Sequence, residues 1–183
     1  GSVTDGHSLP LDDLESRVSI ADELMAIVSV DERGDVVFER TNLVVQNGTG
    51  RTDEANAFGN IVIGYNNYDG EDRTGSHNIV MGDHHAYAGT SILMIGEGHR
   101  TSGHGSAALG GESNLLTGQQ SVVIGGINNE VSGAMAANLG GSNNTVMGAY
   151  AIALGGYENA AEAEYSAAGP GRSNTASGSH SAA

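Results

Sequence analysis

The sequence has no cysteine, no tryptophan and no lysine, and only two phenylalanines and two prolines among 183 residues. Without cysteine there is no disulfide framework, which suits an exported chain that needs no oxidation step. So few large aromatics argue against an ordinary globular core, whereas 29 glycines supply many turns and small interior positions. Seven arginines stand against 22 Asp and Glu, a net charge of −15; that field makes nucleic acid and anionic membrane surfaces poor partners. No run is long and apolar enough to span a bilayer. No stretch of these residues reads as a signal peptide. Gly1-Ser2 reads as a cloning remnant and the last repeat stops abruptly at Ala183, so the chain is expected to be a fragment of a longer one.

What is present is a repeat. Asn114-Leu-Leu-Thr-Gly118 leads to Val122-Val-Ile-Gly125-Gly126, Asn129-Glu-Val-Ser-Gly133 to Ala137-Asn-Leu-Gly140-Gly141, and Asn144-Thr-Val-Met-Gly148 to Ile152-Ala-Leu-Gly155-Gly156. The register extends as Gly64, Gly82, Gly96, Gly110, Gly125, Gly140 and Gly155, in steps of 18, 14, 14, 15, 15 and 15 residues. A fixed period of this length marks a stacked-repeat architecture. Each Gly follows an apolar residue (Ile63, Met81, Ile95, Leu109, Ile124, Leu139, Leu154), and two positions earlier stand Ile61, Ile79, Leu93, Ala107, Val122, Ala137 and Ile152. That spacing of two predicts a strand with one apolar face. A second short strand is expected where Leu116, Val131, Val146, Ala161 and Ala176 follow Asn114, Asn129, Asn144, Asn159 and Asn174 by two. Each repeat therefore reads as two strands joined by glycine turns, with Ala163 standing where one turn glycine is expected.

A coil this thin offers about three inward apolar side chains, for example Val122, Ile124 and Val131, and leaves an apolar face uncovered. Self-association with closed symmetry is the usual way to cover such a face. The repeat alone thus predicts a chain that is not a monomer. The recurring Asn is expected inside with the apolar residues. Buried amides need hydrogen bonds, and identical residues one coil apart can supply them as a ladder of Asn114, Asn129, Asn144, Asn159 and Asn174 that also pins register.

Ahead of the repeats, Leu11, Leu14, Val18, Ala21, Met25 and Val28 follow heptad spacing, with Asp12, Asp13 and Glu15 suited to a helix start. Residues 1–28 are expected to be a short coiled-coil stalk. Residues 29–60 read as a β-rich connector. Ile27 to Glu39 predicts strand, turn and strand around Gly34, and Thr41 to Val45 another strand. Residues 61–183 are the repeat region. The step of 18 comes from an insertion, Tyr65 to His77. Its Asp69, Glu71 and Asp72 offer oxygen ligands but match no EF-hand spacing, so a solvated acidic loop is the reading preferred. His77, His84, His85, His99 and His104 fall within two coils. Turn positions, or hydrogen-bonding partners within the assembly, suit them better than a metal site.

The repeats resemble the head domains of trimeric autotransporter adhesins of the YadA type. Ser121-Val-Val-Ile-Gly125, Ala151-Ile-Ala-Leu-Gly155 and Asn174-Thr-Ala-Ser-Gly178 carry the resemblance, which covers about residues 61–183. It differs in starting the second half with Asn and in the second glycine at Gly111, Gly126, Gly141 and Gly156. The stretches Gly59-Asn-Ile-Val-Ile-Gly-Tyr-Asn66 and Gly75-Ser-His-Asn-Ile-Val-Met-Gly-Asp83 are similar to repeats of other bacterial surface and phage-like fibres, among them mosaic adhesive trimers of predatory bacteria. The resemblance implies a left-handed parallel β-roll, three chains per roll, and adhesion at the cell surface. The trimer core would then comprise Ile61, Ile63, Ile79, Met81, Leu93, Ile95, Leu109, Val122, Ile124, Leu139, Ile152 and Leu154. The ligand would be a cell-surface protein or glycan, with no cofactor, no metal, no nucleic acid and no membrane insertion by this segment. A phage tail fibre has the same physics. A left-handed β-helix acyltransferase is the enzymatic alternative, but it needs hexads and coils of 18, and no Ser/His/Asp set, Walker loop or zinc spacing appears. No catalytic residue is expected.

Overall fold

The computed structural model describes residues 17–19, 22, 27–67 and 69–183, and the chain divides into two compact units, residues 1–44 and 45–183. In the first, residues 17–19 and 22 are helical. Of the heptad positions, Leu11, Leu14, Ala21 and Met25 lie outside the described residues, and Val18 is exposed. Val28 is not helical. It opens strand β1 (Val28–Val30), which pairs antiparallel with β2 (Val36–Phe38), Val28 opposite Phe38 and Val30 opposite Val36. Two β-branched runs flank a turn that closes on itself. Asp31 Oδ1 accepts the Arg33 and Asp35 N–H groups at 2.9 and 3.0 Å, and Gly34 takes φ +86°. The strand expected over Thr41 to Val45 does not form. Among the described residues no strand pairs with it to complete its hydrogen bonds, and Leu43 and Val44 stay exposed.

The second unit is mainly β and solenoidal. An eight-stranded parallel sheet takes one strand from each coil: Ile61–Ile63, Ile79–Asp83, Leu93–Glu97, Ala107–Glu112, Val122–Ile124, Ala137–Asn138, Ile152–Ala153 and Ala167–Ala168. A seven-stranded parallel sheet takes the other: Ala86–Tyr87, Arg100–Thr101, Leu115–Leu116, Glu130–Val131, Thr145–Val146, Ala160–Ala161 and Thr175–Ala176. The sequence steps reappear as register. Ile61 pairs with Ile79, Ile79 with Leu93, Leu93 with Ala107, Ala107 with Val122, and Val122 with Ala137. Strands of two or three residues are too short to hold by local preference. They persist because each strand's N–H and C=O groups pair with the coils before and after it.

The interior lies between the two sheets. The eight-stranded sheet contributes Val80, Met94, Ala108, Val123, Asn138, Ala153 and Ala168, all without exposed surface. The seven-stranded sheet contributes Tyr87, Thr101, Leu116, Val131, Val146, Ala161 and Ala176, each at most 6 % exposed. Val131 therefore points inward as expected, whereas Val122 and Ile124 do not line the coil's own interior. Their neighbour Val123 does. Period-two alternation defines two faces, and in strands such as Ile79-Val-Met and Leu93-Met-Ile both are apolar, so alternation alone does not say which one the coil closes over. The turn at Ala163 forms without glycine: Ser166 N–H donates to Ala163 O at 3.1 Å, as Ala151 N–H does to Gly148 O at 3.2 Å.

Candidate functional site: an uncovered apolar face and a buried ladder

Residues that leave the eight-stranded sheet on the side away from the interior form one apolar surface. Ile61, Met81, Leu93, Ile95, Leu109, Val122 and Ile152 are half-buried, and Ile63, Ile79, Ile124, Leu139 and Leu154 are exposed. Ala107, Ala137 and Ala167 fill the gaps in the inner of the two rows. No charged side chain interrupts either row between Ile61 and Leu154. Monomeric soluble domains seldom leave so extended an apolar surface to water. The opposite outward face, on the seven-stranded sheet, is mixed: Arg100, Leu115, Glu130, Thr145, Ala160 and Thr175 along one row.

Inside the coil, at the start of the second strand, runs a column of amides. Asn114 Oδ1 accepts Asn129 N–H at 2.9 Å, Asn129 Oδ1 accepts Asn144 N–H at 3.0 Å, Asn144 Oδ1 accepts Asn159 N–H at 2.9 Å, and Asn159 Oδ1 accepts Asn174 N–H at 3.0 Å. Each Nδ2 from Asn129 on also donates to the preceding Oδ1, and a glycine carbonyl takes a further Nδ2 bond, such as Gly156 O with Asn144 at 3.1 Å. Both ends of the amide are used from Asn114 to Asn159, which is how a polar group is carried through this core at little cost.

The column continues toward the N-terminus with a change of residue. Asn114 N–H donates to His99 Nδ1, His99 N–H to His85 Nδ1, and His85 N–H to Asn66 Oδ1. Of the five histidines that fall within two coils, the structure brings His85 and His99 together and places the other three apart from them. His85 and His99 are buried in the column. His77 Nε2 accepts Asn47 N–H at 3.4 Å. His104 Nδ1 accepts Thr90 N–H at 3.1 Å. His84 sits between Asp83, at 3.5 Å, and Asp69, at 3.2 Å. The place of His85 and His99 was open to inspection in the sequence, because each stands two residues before the Tyr87 or Thr101 that occupies the Leu116 position.

The insertion is stitched to the coils through Arg73. Its guanidinium donates to His85 O at 3.1 Å and meets Glu71 at 3.5 Å. Asn67 binds the Asp83 carboxylate through its main-chain N–H and its Nδ2. Burial pushes the Asp83 carboxyl up, but the Asn67 and His84 bonds together hold it below its ordinary range. Among the described residues no three His, Asp or Glu side chains converge in a way that could hold a metal ion, and no helix is long and apolar enough to cross a membrane. At one corner the rings of Tyr150, Tyr165 and His180 stack with centroids 4.9 and 4.8 Å apart. No protein-family model matches the chain, and no curated protein matches it.

Proposed function

We propose that this chain is a non-enzymatic segment of a trimeric surface fibre or adhesin, a left-handed β-roll of the YadA-head kind whose three copies bring their apolar faces together around a shared axis. The observation that carries this reading is the continuous apolar face of the eight-stranded sheet, from Ile61 to Leu154, which no described residue of its own unit covers. Association would remove that face from water at roughly 25 cal/mol per Å² of apolar surface. It would leave the mixed, polar face of the seven-stranded sheet outward, as the surface offered to a cell-surface protein or glycan. Three copies would carry three times −15 charges, so the fibre's outer surface would repel nucleic acid and anionic lipid. The site of action is extracellular, at a cell surface; a virion tail fibre would use the same physics. The enzymatic reading is less favoured because most coils repeat every 14 or 15 residues, Leu93 pairing with Ala107 and Val122 with Ala137, where a hexad-based β-helix needs coils of 18. Light scattering on a sizing column tests the assembly. The expected mass is three times 18.6 kDa, and a stable monomer at micromolar concentration would overturn the reading.

A further inference from the structure

Two coils of the ladder differ from the rest in one chemical respect: their buried side chains can titrate. His85 and His99 have no exposed surface, and their rings stack with centroids 5.3 Å apart. Each Nδ1 accepts a main-chain N–H from the next coil, His99 and Asn114 respectively, both at 3.2 Å. With Nδ1 committed as acceptor, the ring proton is on Nε2. Each Nε2 accordingly faces a carbonyl of its own coil, Met81 O at 3.2 Å and Ile95 O at 3.0 Å. The geometry thus requires neutral imidazoles of one tautomer. Farther along the column the same place is held by asparagine, which has no proton to gain.

A second ring proton would have to sit on Nδ1, where a main-chain N–H already points: donor would meet donor, and two stacked imidazolium ions would face each other. The carbonyls and the one carboxylate nearby offset only part of this, since burial outweighs them at both rings. Around His85 stand the Met81 and Gly96 main chain, the Asn66 amide, the Arg73 guanidinium and the Asp83 carboxylate, which is engaged by Asn67 and His84. Around His99 stand His85, the Ile95 and Gly110 main chain and Asn114. Among the described residues no carboxylate hydrogen-bonds to either ring.

We propose that the coils from Ile79 to Asn114 are an acid-sensitive joint, which opens as these two imidazoles take up protons while the asparagine-laddered coils beyond stay closed. Burial holds both histidines below their ordinary range, helped at His99 by the neighbouring His85. The opened chain, with histidines near pH 6.5, therefore binds protons that the closed coils refuse. Closure is at full strength above about pH 6.5 and weakens as pH falls below it, by about tenfold per pH unit for each histidine and about 100-fold for the pair.

Amide hydrogen exchange on the full chain, corrected for intrinsic rates, tests this between about pH 7.5 and 5.5. Between about pH 7.5 and 5.5 the His99 and Asn114 amides are expected to lose protection progressively, by up to about 100-fold, while the Asn144 and Asn159 amides hold. The His85→Asn/His99→Asn variant should give a flat profile. Should it not fold, the single His99→Asn should reduce the slope to about tenfold per unit. Nitrogen-15 spectra of the imidazoles should show the Nε2–H tautomer at both sites. A flat profile in the unsubstituted chain, equal loss in both sets of amides, a slope that survives substitution, or an Nδ1–H tautomer would each overturn the proposal. The measurement does not depend on how many chains assemble.

Discussion

Val123 and Ile124 leave the same strand in opposite directions: the first has no exposed surface and the second is 49 % exposed. One position therefore belongs to the coil and the other to whatever the coil meets. Val123→Asp is expected to unfold the coil, because a carboxylate would be enclosed with Leu116 and Val131 and no counter-charge. Ile124→Asp is expected to leave circular dichroism unchanged while scattering mass falls to that of one chain, since in the proposed trimer three carboxylates would meet near the axis. Ordinary assembly of Ile124→Asp would mean that this residue faces water.

How far these features were legible in the sequence can be said residue by residue. The seven-glycine series gave the stacking register, including the irregular step between Ile61 and Ile79, because a solenoid repeats its geometry wherever it repeats its length. The polar-inside column was legible at Asn114 and its successors because identical residues recur at one phase. At His85 and His99 a different residue type does the same hydrogen bonding and the local spacing shifts between 14 and 15, so only their phase, two residues before Tyr87 and Thr101, marked the place. The facing of Val122 and Ile124 also escaped, since a strand apolar on both sides carries no sign. Thr41 to Val45 was misread because β-branched composition is a preference for pairing and supplies no partner.

The double glycine that distinguishes these repeats separates into two roles. At Gly125, φ is +73° and a Cβ would meet nothing within 4 Å; at Gly126, φ is +84° and a Cβ would stand 2.2 Å from Gly141 O in the next coil. Gly125→Ala should thus cost only the left-handed conformation, about 1–2 kcal/mol. Gly126→Ala must also push adjacent backbones apart and is expected above about 4 kcal/mol, the exceptional end for a single substitution. Denaturant midpoints of the two variants check the order. Equal costs would show that close approach of the coils is not what Gly126 provides.

Asn144 sits in the middle of the ladder, and Asn174 accepts nothing from a further amide. Asn144→Ala removes the acceptor of Asn159 N–H and the donor to Gly140 O at 3.0 Å and Gly156 O at 3.1 Å. Each buried group left unpaired costs about 1–3 kcal/mol, so a loss of at least about 2 kcal/mol is expected. Asn174→Ala, which is half-buried and keeps its main-chain bond to Asn159 Oδ1, should cost less than half as much. Thermal unfolding of both variants under one buffer compares them directly. A larger loss at Asn174 would mean that the column is held from its end and not link by link.

Thr101 offers a test in the opposite direction, a substitution that should stabilise. It occupies the interior row between Tyr87 and Leu116, is 4 % exposed, and its buried Oγ1 has no hydrogen-bond partner among the described residues. A hydroxyl enclosed in this way costs about 1–3 kcal/mol relative to an apolar group of the same shape. Valine supplies that shape and favours a strand as strongly as threonine does. Thr101→Val is expected to raise the unfolding free energy by about 1–3 kcal/mol, read as a higher denaturant midpoint at unchanged slope. A loss of stability would place a partner on Oγ1, such as an enclosed ordered water.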